Sequence, residues 1–213
     1  GVEFHVSGKI NDTFRLDIPG RFSVYNALCA ITVANELGLD IPSMKKALEK
    51  VKVLGRMELV SSNDKYKLIV DYAHNLEEMN NLMDTISEYK PTRLVCIFGG
   101  GGNRARSRRF DMGEVAGKWA DLTILTEDNP RFEEMESINQ DIIVGLNKYQ
   151  GKYITIDDRK EAIRYAMKNA QKGDIILLIG KGHENYQDIK GVKYPWDERK
   201  VVKEVEQELK NEK

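Results

Sequence analysis

Four short segments hold the ionisable and amide side chains whose types and spacing could support chemistry. In chain order they read DYAHN (71–75), GGGGNRAR (99–106), TEDNPR (126–131) and GKGHENYQ (180–187). They offer carboxylate, amide, imidazole, ammonium and guanidinium groups, which between them can recognise carboxylates and amines. We therefore hypothesise that these segments bind a small molecule that carries both a carboxylate and an amine.

The glycine-rich segment lets a ligand approach the backbone closely, and it opens a predicted helix whose first turn favours anions. It is not a GxGxxG dinucleotide loop, because no acidic residue closes a second strand at the expected distance, and it lacks the Lys-Ser/Thr ending of a P-loop. Arg104 is its best candidate for holding a carboxylate, since a guanidinium pairs with a carboxylate through two hydrogen bonds. A glycine-rich turn with solvated arginines remains the alternative.

The other three segments also have simpler structural interpretations. Asp, Asn and Pro all favour turns, so DNPR could be an ordinary turn. In GKGHE, Lys181 could face the solvent and His183 could be a hydrogen-bonded structural histidine. Asp71 and His74 could simply tie their loop to the following helix. Each segment is weak evidence when it is taken singly.

The elements that must position these segments alternate between strands and helices from about residue 54 onward. Predicted strands run through YKLIVDYA, RLVCIFGG, DLTILTE, YITIDD and DIILLIGKG, and amphipathic helical patterns separate them. Strands that are continuously apolar are typical of a mainly parallel sheet with helices on both faces, a Rossmann-like α/β fold. In such folds ligands bind at the carboxyl ends of the strands, and all four segments follow a predicted strand.

A different pattern precedes this region. Residues 1–20 alternate apolar and polar side chains around a turn, which predicts a β-hairpin. Helical spacing then predicts one helix from about residue 22 to Gly38 and a second over 42–51. We expect a boundary near Leu54 or Gly55, which divides the chain into 1–53 and 54–213. The first part is too short for a full domain, and we interpret it as the tail of one.

The overall composition argues against several classes of function. A net charge of −1 and a sequence pI of about 6.4 give no global electrostatic basis for binding nucleic acid. No apolar run is long enough to span a bilayer, and the start of the sequence is not a signal peptide. Cys29 and Cys96 stand in apolar segments without disulfide or metal spacing, so we expect two buried thiols in a reducing, cytoplasmic compartment.

Taken together and in order, six segments resemble the Mur ligase family. They read GRFSVYNALCAI, GRMELV, VDYAHN, FGGGGNR…MGEVA, TEDNPR and GKGHENYQ, and the resemblance covers nearly the whole chain. The DNPR and GKGHE pair is specific to the branch that adds the third amino acid of the peptidoglycan precursor. The resemblance implies that residues 1–53 end a central ATP-binding domain and that residues 54–213 form the C-terminal, amino-acid-binding domain.

The chemistry implied by this resemblance is ATP-dependent amide formation. In the family, ATP phosphorylates the side-chain carboxylate of the D-glutamyl residue in UDP-N-acetylmuramoyl-L-Ala-D-Glu. The amine of meso-diaminopimelate then attacks the acyl phosphate, and Mg²⁺ and cationic groups stabilise the phosphoryl charge. The resemblance therefore implies ATP and Mg²⁺ as cofactors and the UDP-linked dipeptide and diaminopimelate as substrates, with neither nucleic acid nor a membrane as partner.

Two groups of residues match positions that bind ligands in the family. The resemblance implies that the amino acid is held by Arg104, Asp128, Asn129, Arg131, Gly180 and Glu184. It implies that ATP is held by Asn26, Arg56, Asp71 and His74. Arg131 would pair with the distal carboxylate of diaminopimelate, which a lysine substrate lacks. No catalytic residue and no metal ligand is assigned within this chain.

The sequence departs from the family pattern at several points. Asn103 and Ala105 replace the aspartates that usually flank the arginine, Leu76 replaces a proline, and Arg108-Arg109-Phe110 replaces a Lys-Arg-Pro run. No GxxxxGK[ST] phosphate loop occurs either. We expect that this chain alone neither hydrolyses ATP nor forms amides, and ATP turnover by the purified chain would contradict that expectation.

Several alternatives stay open at this stage. The chain could be a binding module for an amino acid or nucleotide without catalysis, an interpretation favoured by the altered GNRA segment. It could also belong to the lysine-adding ligase of the same family, to a relative that adds glutamate to folate, or to one that re-ligates recovered peptides. The DNPR and GKGHE pair argues against the last two.

Overall fold

The computed structural model describes residues 1–212 of the 213-residue chain. The chain divides into two compact units, one over residues 1–54 and one from Gly55 onward. Each unit has its own hydrophobic core.

The first unit is a β-hairpin followed by two helices, as its sequence pattern predicts. Strands β1 (Val2–Val6) and β2 (Asp12–Leu16) pair antiparallel, and helices α1 (Arg21–Glu36) and α2 (Ile41–Leu48) follow. Asp40 caps α2 by accepting a hydrogen bond of 2.9 Å from the backbone N–H of Ser43. The core of this unit consists of Ile10, Phe14, Ile31 and Met44.

The expectation of two buried thiols is wrong for Cys29. Helix α1 buries the stripe of Ser23, Ala27 and Ile31, and Cys29 lies on its exposed side. Residues four apart share a helix face, so burying this stripe turns Cys29 away from the core of the unit. Cys96 is buried as expected, and burial raises the pKa of its thiol because the thiolate would lose its hydration.

The second unit is the predicted Rossmann-like α/β domain. Its sheet contains β3 (Glu58–Ser62), β4 (Tyr66–Asp71), β5 (Arg93–Phe98), β6 (Leu122–Leu125), β7 (Tyr153–Thr155) and β8 (Asp174–Ile179). The strand order is β3-β4-β8-β5-β6-β7, and β3 alone in this sheet runs antiparallel to its neighbour. The helices are α3 (Leu76–Ser87), α4 (Ser107–Trp119), α5 (Met135–Asn147), α6 (Arg159–Lys168) and α7 (Glu198–Asn211).

Helices cover both faces of this sheet. On one face, α6 and α7 pack against alternate strand residues such as Leu68, Ile97 and Ile176. The residues between them, including Ile69 and Cys96, are buried on the opposite face, where α4 packs against α3 and α5. Burial on both faces explains why the strands are continuously apolar.

A second hairpin near the C-terminus was not predicted from the sequence. Strands β9 (Tyr186–Ile189) and β10 (Val192–Pro195) pair antiparallel, whereas β8 was the last clear strand in the sequence pattern. The turn between them consists of Lys190 (φ 52°) and Gly191 (φ 79°). The residues of β10 are exposed, so their sequence carries no alternation of apolar and polar side chains.

No helix within residues 1–212 is both long enough and apolar enough to cross a bilayer.

Candidate functional site

Four loops of the second unit meet at the carboxyl edge of the sheet. They follow β4, β5, β6 and β8, which are the loops that contain the four polar segments of the sequence. Between them lies a cavity of about 310 Å³. Its lining includes all six predicted amino-acid contacts and His74; the six are Arg104, Asp128, Asn129, Arg131, Gly180 and Glu184.

Glycines bring the β5 and β6 loops into backbone contact. A Cβ atom on Gly99 would collide with the carbonyl oxygen of Thr126, and one on Gly102 would collide with that of Pro130. The N–H of Gly102 also donates a hydrogen bond of 2.9 Å to the carbonyl of Asn129. The GGGG and DNPR segments are therefore one packed assembly, and glycine is required at these positions for close approach.

Lys181 is completely buried, so the interpretation that it faces the solvent is wrong. Its ammonium lies 3.2 Å from Asp128 Oδ1, 3.0 Å from Asn129 Oδ1 and 3.2 Å from Glu184 Oε2. A buried charge requires such partners because it has lost its hydration. This single side chain contacts three of the six predicted amino-acid contacts, and sequence reasoning missed it.

The amide of Asn129 has a defined orientation. Its Oδ1 accepts hydrogen bonds from Lys181 and, at 2.9 Å, from the backbone N–H of Asp188. With two donors on the oxygen, the amide nitrogen must point the other way, and it donates to Glu184 Oε2 at 2.9 Å. Asp128 and Glu184 thus share one ammonium, which leaves a net negative charge that suits a ligand ammonium.

Arg131 also lines the cavity, and its side chain and backbone are held at several points. Its guanidinium Nη1 donates to the carbonyl of Gly102 at 2.7 Å, and Nε lies 3.7 Å from the carboxylate of Asp188. Its backbone is left-handed (φ 51°), with the N–H bonded to the carbonyl of Asp188 and the carbonyl accepting from Lys190 N–H at 2.7 Å. The β9–β10 hairpin therefore positions this arginine.

Arg104 differs from Arg109, another arginine of the cavity wall. Within residues 1–212 its exposed guanidinium forms no hydrogen bond or ion pair, whereas Arg109 is buried. Arg109 lies 3.0 Å from Asp141, 2.8 Å from Glu133 and 3.1 Å from the carbonyl of Gly101. Arg109 is therefore a structural tie, and Arg104 is available to a ligand.

Asn103 replaces an aspartate of the family pattern, and it closes its loop locally. Its Oδ1 accepts a hydrogen bond of 3.2 Å from the backbone N–H of Phe132, and its own N–H donates to Glu133. That N–H lowers the pKa of the Glu133 carboxyl, as does the guanidinium of Arg109. Asn103 therefore joins the β5 loop to the segment after β6.

The four predicted ATP contacts are divided between the two units. Asn26 is exposed on α1 in the first unit, while Arg56, Asp71 and His74 belong to the second. Asp71 is buried, and its two oxygens accept hydrogen bonds of 2.8 Å from the N–H groups of Met57 and Ala73. Burial raises the pKa of Asp71 even though these N–H groups oppose the shift.

Two further predicted ATP contacts lie beside an aromatic ring. The guanidinium of Arg56 is 4.9 Å from the ring centre of Tyr72. The ring of His74 also lies 4.9 Å from Tyr72, with Nδ1 3.0 Å from Glu78 Oε2.

Among residues 1–212, no group of three or more His, Cys, Asp or Glu side chains is placed to hold a metal ion.

Known proteins are similar to this chain in sequence and in fold. The family model described as "Mur ligase, glutamate ligase domain" matches residues 55–182. Two proteins named UDP-N-acetylmuramoyl-L-alanyl-D-glutamate–2,6-diaminopimelate ligase are similar in sequence. The one from Caldanaerobacter subterraneus subsp. tengcongensis is 49% identical over 96% of this chain and 43% of its own length. The one from Aquifex aeolicus is 44% identical over 90% of this chain and 39% of its own length.

Solved structures give the same result for the fold. A structure of a ligase of that name aligns with a TM-score of 0.70 at 33% identity, over 96% of this chain and 42% of the other. A UDP-N-acetylmuramate-alanine ligase from Thermotoga maritima also aligns with a TM-score of 0.70, over 98% of this chain and 42% of the other. At 21% identity, the second likeness shows the fold alone. The chain spans less than half the length of the curated relatives it matches.

Proposed function

We propose, since this chain belongs to the Mur ligase family, that it is the amino-acid-binding part of an ATP-dependent amide ligase. The ligase would join meso-diaminopimelate to UDP-N-acetylmuramoyl-L-Ala-D-Glu, the reaction named for its similar relatives. Residues 55–213 would be the C-terminal domain, and residues 1–54 would be the end of the central ATP-binding domain.

One observation carries this proposal: the wall of a single cavity contains both acidic and guanidinium side chains. Asp128 and Glu184 share the one ammonium of Lys181, while Arg104 and Arg131 present guanidinium groups. Diaminopimelate has two ammonium and two carboxylate groups, which match this arrangement. The volume of about 310 Å³ lies at the small end of the range for ligand sites, as suits an amino acid.

The part of this chain in the reaction is to hold the attacking amine. The D-glutamyl carboxylate first becomes an acyl phosphate, with ADP as the other product. The amine of diaminopimelate then adds to the acyl carbon, phosphate leaves with the C–O electron pair, and the nitrogen loses its extra protons. Holding the amine in line replaces a bimolecular encounter and supplies much of the rate enhancement.

We assign the nucleotide contacts Asn26, Arg56, Asp71 and His74 to the ATP side of the same enzyme. The exposed Asn26 and the ring stack of Arg56 on Tyr72 support contact with a nucleotide. Asp71 supports it least, because both of its oxygens are engaged by backbone N–H groups. The described residues offer no Mg²⁺ cluster, so no step is assigned to the metal.

The test is amide formation by the full-length ligase that contains this chain. With ATP, Mg²⁺ and the UDP-linked dipeptide present, we expect the tripeptide product with diaminopimelate and little product with lysine, measured by chromatography and mass spectrometry. Equal use of lysine would favour the lysine-adding ligase. Absence of any product, with binding of an amino acid retained, would favour a non-catalytic binding module.

A further inference from the structure

Arg108 lines the cavity, and none of the ligand contacts proposed above involves it. It lies in the first turn of α4, lines the cavity and is exposed. Within residues 1–212 its guanidinium forms no hydrogen bond or ion pair, and its position is not among the predicted ligand contacts. It therefore brings a free positive charge to the wall of the site.

The neighbouring arginines, Arg106 and Arg109, form ion pairs within the fold. Arg106 bonds to Asp141 through Nε at 2.9 Å, and Arg109 lies 3.0 Å from the same carboxylate. Both of these side chains link the start of α4 to α5. Arg108 does not take part in this link, so holding the helix in place does not explain its presence.

The charges of diaminopimelate do not explain Arg108 either. The two carboxylates of diaminopimelate correspond to two cavity arginines, Arg104 and Arg131. Apart from Arg109, which is paired with Asp141 and Glu133, Arg108 is a third guanidinium in the same cavity, and the first turn of α4 contains no acidic side chain. The positive end of the helix adds to this charge. The wall thus carries more positive charge than the amino acid can neutralise.

The reaction brings a third anion to the same place. An amine held in this cavity can react only if the acyl carbon of the other substrate comes to about 3–3.5 Å from it. That carbon carries a phosphate as its leaving group. The phosphate must therefore reach the mouth of the cavity, and a guanidinium matches phosphate oxygens through paired hydrogen bonds.

We propose that Arg108 binds the anionic reacting end of the UDP-linked dipeptide when that end meets the bound amino acid. The inference rests on the proposed function, because it assumes that the cavity binds diaminopimelate and that the UDP-linked dipeptide reacts with it there. Arg108 would be specific for that substrate and would not contact diaminopimelate.

The experiment compares Arg108→Gln with the unmodified full-length ligase. We expect the KM for the UDP-linked dipeptide to rise about 10- to 100-fold, the size that follows from losing a hydrogen bond to a charged group. The affinity for diaminopimelate, measured by calorimetry, should change less than about twofold. A general structural defect would not separate the two substrates in this way.

Arg15→Gln is the matched control, because it removes an exposed arginine of β2 that forms no hydrogen bond or ion pair within residues 1–212 and lies outside the cavity lining. It should leave both substrate constants unchanged. An unchanged KM for the dipeptide in Arg108→Gln would overturn the inference, and so would a loss of affinity for diaminopimelate instead. If the unmodified ligase itself makes no amide from these substrates, the proposed function fails. If it makes the amide and only the role of Arg108 is contradicted, the proposed function stands, so the two failures are distinguishable.

Discussion

At the scale of single residues, the buried ammonium of Lys181 organises the acidic part of the cavity. It bonds to Asp128, Asn129 and Glu184 at once, and it reaches them from the loop after β8. Three side chains that would contact a ligand are therefore positioned by one that is itself inaccessible to the ligand.

Replacing Lys181 tests this role. Lys181→Met keeps the approximate length of the side chain and leaves the buried carboxylate of Asp128 and the half-buried one of Glu184 without their counter-charge. Removing one partner from a buried ion pair costs about 3–5 kcal/mol, so we expect the free energy of unfolding to fall by that amount in a denaturant titration. Diaminopimelate and lysine should both lose affinity, because Lys181 positions the three side chains of the proposed amine-binding part, which would serve both ligands.

The control for that variant is Lys172→Met, which alters an exposed lysine. Its free energy of unfolding should stay within about 0.5 kcal/mol of the unmodified chain. Equal stability of the Lys181 and Lys172 variants would show that the buried ammonium is not required.

Arg131 has a different, selective role in the proposed site. Its guanidinium is held by the carbonyl of Gly102 and lies near Asp188, so its orientation is fixed before a ligand arrives. Arg131→Lys keeps the charge but loses the paired geometry. We expect the dissociation constant for diaminopimelate to rise about thirtyfold or more, the size expected for a lost charged contact.

Lysine as ligand is the internal control for Arg131. It lacks the distal carboxylate, so its affinity should be unchanged in Arg131→Lys. Calorimetry with the two amino acids gives the ratio directly. A parallel loss for both would indicate damage to the cavity and would remove Arg131 as the selective residue.

At the scale of elements, ion pairs tie the start of α4 to α5. The carboxylate of Asp141 on α5 accepts hydrogen bonds from Arg106 and Arg109. Both guanidinium groups lower the pKa of this carboxyl group below its ordinary value of 3.8, and Arg106 has the larger effect. A carboxyl group with a lowered pKa in the folded state stabilises the fold above its unfolded pKa. That stabilisation is lost as the pH falls through the folded value.

The pH dependence of Asp141→Asn follows from this sign. The variant should be less stable than the unmodified chain at pH 7, and the gap should be nearly constant down to about pH 5. Below pH 3.8 the difference in the free energy of unfolding should shrink, because the carboxyl group of the unmodified chain becomes protonated and loses its charge. Urea titrations at several pH values measure this difference. A difference as large at pH 2.5 as at pH 7 would contradict the ion-pair explanation. Asp64→Asn, at an exposed carboxylate, is the control.

The predicted elements show where sequence patterns are sufficient. The hairpin, the parallel strands and the helices after them were predicted correctly, because burial on one or two faces imposes a period on the sequence. The β9–β10 hairpin was missed, because its second strand is exposed and imposes none. That missed hairpin supplies the backbone bonds that hold Arg131 and Asn129.

At the scale of the whole molecule, the cavity belongs entirely to the second unit. Every residue of its lining lies between Tyr72 and Glu184. We therefore expect a truncated chain of residues 55–213 to bind diaminopimelate with the same affinity as the 213-residue chain in calorimetry. A large loss of affinity, with the circular dichroism of the α/β unit retained, would show that residues 1–54 take part in binding the amino acid.

The sequence by itself determined the family, the alternation of strands and helices, and which four loops carry the polar side chains. These features depend on local composition and period, which neighbouring residues can express. Only the tertiary structure decided that six ligand candidates share one wall, that Lys181 is buried among them, and that Arg108 remains unpaired within residues 1–212. Such outcomes depend on contacts such as that between Lys181 and Asn129, which are 52 positions apart, and no local pattern encodes the partner of a side chain at that separation.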